Sequence, residues 1–119
     1  MKLTLPEWDV MEVLWSGESF TLGEITSALK GSHGWTNNTV HTYLTRMCKK
    51  GLVIIHKDAL SPYKAAVSKE DCARQERDEL LNKVYSGSAG ELIAAFLKDS
   101  EISKSEVERL KKMLDEMEV

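Results

Sequence analysis

The sequence predicts a mainly α fold with a small antiparallel β wing: a winged helix-turn-helix domain over residues 1–70, then a helical linker and dimerisation region over 71–119. Three observations predict it. Apolar residues recur at helical spacing three times before Gly51, two strand-length runs follow that glycine, and the tail returns to helical spacing with too few apolar residues for a core of its own.

The first helix is expected from Pro6 to about Ser16, because Leu5, Trp8, Met11, Leu14 and Trp15 share a face and Gly17 follows. Thr21-Leu22-Gly23-Glu24 then forms a capping box, in which hydroxyl and carboxylate each satisfy an orphaned backbone N–H. A short second helix follows, ending near Lys30-Gly31, with Ile25, Ala28 and Leu29 turned inward. After the turn Gly31–Gly34, Trp35 precedes the N-cap Thr36, and Val40, Tyr43, Leu44 and Met47 form the core stripe of a third helix that Gly51 closes. Leu52–His56 is β-branched and pairs naturally with Tyr63–Val67 as a hairpin. Ser68-Lys69-Glu70-Asp71 opens a linker helix reaching Tyr85, with Asp in the place a capping box usually gives to Glu. Gly87 and Gly90 separate it from a short amphipathic helix carrying Leu92, Ile93, Phe96 and Leu97. The last helix starts at Ser103-Lys104-Ser105-Glu106, bracketed by the hydrophobic staple Ile102 and Val107. Val107, Leu110, Leu114 and Met117 line one face.

Composition excludes several function classes. With 42% hydrophobic and 29% charged residues the chain has the balance of a soluble globular protein. No apolar run approaches the roughly 18 residues of a membrane span, and Met1–Glu7 lacks a signal-peptide core, so the cytoplasm is the expected compartment and membrane insertion is not. Cys48 and Cys72 stand far apart and are expected as reduced thiols, while His33, His41 and His56 are scattered singly, so neither metal nor cofactor is expected. There is no Gly-rich phosphate loop, no His-Glu-x-x-His and no Gly-x-Ser-x-Gly, which argues against an enzyme. Trp8, Trp15 and Trp35 fall at apolar positions or at a helix start, as anchors do, rather than as platforms for single-stranded bases.

Charge is unevenly placed although the net value is only -3. From Lys30 to Lys69 seven cations stand against the single acid Asp58, whereas from Asp71 onward eight cations face twelve acids. The outer face of the third helix carries Asn37, Asn38, Thr39, His41, Thr42, Thr45 and Arg46, all hydrogen-bonding types and none an acid, so it can approach a polyanion and read base edges. Lys49, Lys50, Lys57 and Lys64 are the expected phosphate contacts, which position without reading sequence. Leu92, Ile93, Phe96, Leu97, Val107, Leu110 and Leu114 are expected to be buried against a second copy, pairing two such helices for an inverted repeat in double-stranded DNA. The alternative from another class is a winged-helix protein-interaction module without operator binding, consistent with the overall acidic charge.

A family resemblance runs nearly end to end along the chain. Leu5–Trp15 resembles the first helix, and Trp35–Leu52 the recognition helix, of the penicillinase repressors of the BlaI/MecI type, whose relatives include copper-responsive CopY-type regulators. Leu92–Leu97 followed by Ile102–Leu114 is similar to that family's dimerisation tail. The resemblance implies a homodimeric bacterial transcriptional repressor on a palindromic promoter element, released through a sensor protease or another anti-repressor. This chain departs from the family in three places. Asn38 and His41 stand where relatives commonly carry Lys and Arg, which implies a different operator, weaker binding and a shallower salt dependence. Ala95-Phe96 stands where the family has the Asn-Phe bond cut on induction, and the C-terminus lacks the paired-cysteine motif of the copper-responsive members.

Overall fold

The computed structural model describes residues 2–117, with the helices α1 (Leu5–Trp15), α2 (Leu22–Leu29), α3 (Asn37–Lys49), α4 (Lys69–Val84), α5 (Ala89–Asp99) and α6 (Lys104–Glu116) and the strands β1 (Val53–Ile55) and β2 (Tyr63–Ala65). The fold is mainly α with a small antiparallel wing, as the periodicities imply. Two compact units make up the chain, Met1–Arg77 and Asp78–Val119, and α4 starts in the first and ends in the second.

In the first unit α1, α2 and α3 enclose a core of Val10, Met11, Leu14, Ile25, Leu29, Val40, Leu44 and Met47, closed from the wing side by Leu52, Val53 and Tyr63. Each helix begins with a side-chain cap. Thr4 and Glu7 form a reciprocal box on α1, Thr21 and Glu24 do so on α2, and Thr36 caps α3. The α1 box was not expected from the sequence, where the apolar stripe drew the start to Pro6. Its consequence is that Leu5 is 81% exposed, and Leu3, outside the helix, enters the core in its place. Ala28 likewise faces solvent, while Thr26 is buried with its hydroxyl donating to Leu22 O at 3.0 Å.

The end of α3 shows why the strands are shorter than their β-branched runs. Gly51 adopts φ 81°, a left-handed conformation that L side chains seldom take, and Leu52 N and Gly51 N donate back to Met47 O and Cys48 O at 2.9 and 3.0 Å. This Schellman turn holds Leu52 against the helix it has just left, so β1 starts one residue later. The register pairs Val53 with Ala65, Ile54 with Lys64 and Ile55 with Tyr63. Val53 and Tyr63 are buried while Ile54 and Lys64 face out, the period-2 alternation of a sheet with one wet face. Phe20, between α1 and α2, adds a third line of pairing, exchanging backbone hydrogen bonds with Tyr63 at 2.9 and 3.0 Å. Trp15 Nε1 donates to Val67 O at 2.9 Å, and Lys69 Nζ lies 3.0 Å from Glu12, so α1 also holds the chain where it leaves the wing.

Cys72 joins this core from α4, and burial, with the charge of Asp71 beside it, pushes its thiol above the ordinary range. Its alkylation by iodoacetamide near pH 8 is expected to be several-fold slower than that of free cysteine, checked by mass-spectrometric time course, because only the thiolate reacts.

In the second unit the turn after α4 is made by Ser86 and Gly87, both at positive φ, and Ser88 and Ser103 cap α5 and α6. Leu92 and Val107 are half-buried within it. Among the described residues no helix is long and apolar enough to cross a membrane.

Candidate nucleic-acid interface

Solvent reaches one whole side of α3. Val40, Leu44 and Met47 are fully buried on its inner side, which leaves Asn37, Asn38, His41, Thr42, Arg46 and Lys49 exposed and Thr39 and Thr45 half-buried. None of the exposed group is packed against the protein's own body. Among the described residues the side chains of Asn37, Asn38, His41, Arg46 and Lys49 take no hydrogen bond or ion pair, so their polar groups are available to a partner.

The three threonines are different, and Thr39 Oγ1 lies 3.3 Å from the hydroxyl of the N-cap Thr36. Thr42 Oγ1 donates to Asn38 O at 3.0 Å and Thr45 Oγ1 donates to His41 O at 2.9 Å. Each hydroxyl proton is thereby directed back into the helix, and what remains for a partner is a lone pair and a methyl group. In a major groove these suit the amino groups of adenine or cytosine and the methyl of thymine, whereas Asn37, Asn38 and Arg46 can donate to base acceptors.

The expected phosphate contacts divide. Lys49 projects from the last turn of α3, and Lys57 and Lys64 are exposed on the wing, Lys64 beside Glu18 in an open groove formed with Trp15 and Gly17. Lys50 is engaged elsewhere. Its Nζ lies 2.8 Å from both carboxylate oxygens of Glu7, a residue only 6% exposed, so the C-cap of α3 is tied to the first turn of α1. Burial pushes the Glu7 carboxyl up, but the Lys50 ammonium and the Thr4 N–H outweigh it and hold the group below the ordinary carboxylate value. Sequence reasoning assigned Lys50 by its charge alone, and no local pattern tells a surface lysine from one whose partner lies 43 positions earlier.

At the other end of α3 the structure assembles residues that sequence reasoning placed separately. Tyr43, expected in the core stripe, is half-buried and stacks on Trp35 with centroids 4.6 Å apart, and Trp35 stacks on His33 at 3.9 Å. Among the described residues no group of three or more His, Cys, Asp or Glu converges as metal ligands would.

The second unit presents an apolar groove of about 190 Å³ between α5 and α6, lined by Ile93, Leu97, Leu110, Met113, Leu114 and Met117. Phe96 is also exposed, beside a shallower hollow with Tyr85 and Ala95. The expected stripe residues Ile93, Leu97, Leu110 and Leu114 thus meet in one place, joined by Met113.

Residues 3–116 match the family model described as penicillinase repressor. The chain belongs to the penicillinase repressor family. Its relatives include the methicillin resistance regulatory protein MecI of Mammaliicoccus sciuri, 27% identical over 96% of this chain and 94% of that protein. The penicillinase repressor of Staphylococcus aureus is 26% identical over 98% and 94%, and that of Bacillus licheniformis 28% identical over 92% and 87%. Among solved structures, the monomeric form of BlaI from Bacillus licheniformis in complex with the blaP half-operator superposes with a TM-score of 0.52 at 28% identity, covering 60% of this chain and 88% of that one. The likeness places this family member's helix order and wing in a winged helix-turn-helix fold.

Proposed function

We propose that the chain is a homodimeric, cytoplasmic transcriptional repressor that binds a palindromic operator in double-stranded DNA through the helix 36–50 and the wing 53–67. Residues 1–70 serve as the DNA-binding domain and residues 71–119 as the linker and dimerisation region. The observation that carries this reading is the exposed, acid-free side of α3, whose polar groups are unoccupied apart from the hydroxyls of Thr39, Thr42 and Thr45. A solvated helix face in an acidic protein ordinarily mixes both signs of charge; this one carries Arg46 and Lys49 and no carboxylate. Support also comes from the family, and from a relative described in complex with a half-operator.

Asn37, Asn38, Thr39, His41, Thr42, Thr45 and Arg46 supply base contacts, and Lys49, Lys57 and Lys64 supply phosphate contacts; Lys50 is withdrawn from that set by Glu7. The exposed apolar groove of the tail is the surface that pairs two copies.

Gel-shift titration and footprinting on the promoter DNA of the chain's own operon test the proposal. A protected inverted repeat is the expected result, and no protection at low salt and micromolar protein would overturn it in favour of an interaction module. Arg46→Ala is expected to weaken binding to the protected site by roughly ten- to a hundredfold, the worth of a good base contact. Lys49→Ala is expected instead to weaken all duplexes alike and to lower the slope of log affinity against log salt by about one.

A further inference from the structure

Side chains hold the second half of the loop that leads into α3. Gly31 and Gly34 flank its tip, neither takes a positive φ, and a Cβ built on either would meet open space, so the loop's geometry does not call for glycine. Glycine here only adds backbone freedom. Ser32 N and His33 N donate to Leu29 O at 3.1 and 2.7 Å, but among the described residues no backbone hydrogen bond holds Gly34 or Trp35. Order in this stretch comes from a ladder of three rings. His33 lies on Trp35 with centroids 3.9 Å apart and planes 11° from parallel, and Trp35 lies on Tyr43 at 4.6 Å and 17°.

The two ends of the ladder are tied to different helices. Tyr43 is part of α3 itself, whereas His33 Nε2 is hydrogen-bonded to Asp9 Oδ2 of α1 at 2.6 Å. Asp9 is two residues from Glu7, which holds Lys50 at the far end of α3. One helix therefore grips α3 at its lead-in and at its C-cap.

We propose that the His33–Trp35–Tyr43 ladder, anchored on Asp9, is a positioning device that sets where the first turns of α3 stand in the DNA groove. The proposal rests on the DNA-binding reading above. Asn37 and Asn38 follow Trp35 almost directly, and Thr42 lies next to Tyr43, so a shift of the ladder moves the base-facing groups with it. Base-edge hydrogen bonds weaken steeply once distance and angle leave a narrow range. Phosphate contacts from Lys49, Lys57 and Lys64 on long flexible stems tolerate the same shift. Loss of the ladder is thus expected to reduce discrimination between sequences and leave general affinity for DNA in place.

The experiment uses the full chain and two probes, a duplex selected from a random pool by the unaltered protein and a scrambled duplex of equal length. His33→Ala removes the outer ring and the tie to Asp9. It is expected to lower the ratio of selected to scrambled affinity about tenfold, the order of one misplaced base contact, with affinity for the scrambled duplex and its salt slope unchanged. His33→Phe, which restores a stacking ring but not the tie to Asp9, is expected to recover part of the ratio, and Asp9→Asn, which keeps an acceptor for His33, is expected to retain more of it than Asp9→Ala. A ratio unaffected by His33→Ala and Asp9→Ala overturns the proposal and leaves the repressor reading standing. An equal fall on both duplexes also overturns it, because a ladder that only supports folding removes active protein without changing preference. If the unaltered chain selects no duplex from the pool, the repressor reading fails and the positioning role falls with it.

Discussion

Replacing Lys50 with Met is expected to destabilise the first unit by about 2–4 kcal/mol at neutral pH, measured by urea unfolding of the full chain. The Glu7 carboxylate is 6% exposed and receives the Lys50 ammonium at 2.8 Å on each oxygen, so removing the cation leaves a buried charge held by Thr4. Breaking a buried pair from one side ordinarily costs about 3–5 kcal/mol. The lower figure reflects the Lys50 side chain, which is 38% exposed and so contributes a partly screened charge. Glu7→Gln is expected to cost less, since glutamine still accepts from Thr4 N and the freed lysine can reach water. The pair also fixes a pH dependence. A carboxyl whose folded pKa is depressed adds stability that is fully present above its unfolded value, about 4.3, and that is lost as the pH falls through the lower folded value. Unfolding curves between pH 7 and pH 3 are therefore expected to weaken on the acid side in the natural chain, and to do so less steeply in Glu7→Gln. A Lys50→Met chain as stable as the natural one at pH 7 would show that the bridge contributes nothing.

That bridge also marks the boundary of what the sequence discloses. Capping boxes and the Schellman glycine are local patterns, readable because donor, acceptor and backbone lie within a few residues of one another; hence the starts of α2 and α3 and the stop at Gly51 fall where expected. Thr4-x-x-Glu7 is the same pattern, masked in the sequence by Leu5, an apolar residue at helical spacing that the capped helix turns to solvent. The outward face of α3 was legible for a similar reason: once Val40, Leu44 and Met47 are inward, the 3.6-residue period leaves the others no choice. What was not legible are contacts whose partners are distant in the chain. Lys50 to Glu7, His33 to Asp9 and the Phe20 bridge to Tyr63 each join elements through packing that no spacing encodes. Tyr43 falls between the two cases. Its position on the inner stripe was readable, but its partner Trp35 lies outside the helix, so the ladder appears only when the loop is folded.

Leu97→Glu and Leu114→Glu are each expected to convert the protein to a monomer in sedimentation equilibrium and to weaken binding to an inverted repeat by about a hundredfold or more. Both residues line the groove between α5 and α6, where they are 52% and 58% exposed beside Met113 and Met117 at 53% and 63%. Surface of this kind gains free energy only when another apolar surface covers it, at roughly 25 cal/mol for each Å² removed from water. A carboxylate in the covered groove would lose its hydration with no cation among the residues that line it. The effect on DNA follows from linkage of the two halves. With one half-site bound, a dimer presents its second α3 to the other half-site at high effective concentration, and losing that coupling costs on the order of 10²–10⁴ in apparent affinity without any change in the contacts themselves. The melting transition of the first unit is expected to stay put, since its core, built around Met11, Leu14, Ile25 and Leu44, contains no residue of α5 or α6. Binding to a single half-site, already monomeric, should also be unchanged, and that contrast separates a lost dimer from a damaged α3. Should both variants remain dimeric, the surface that pairs two copies lies outside this groove.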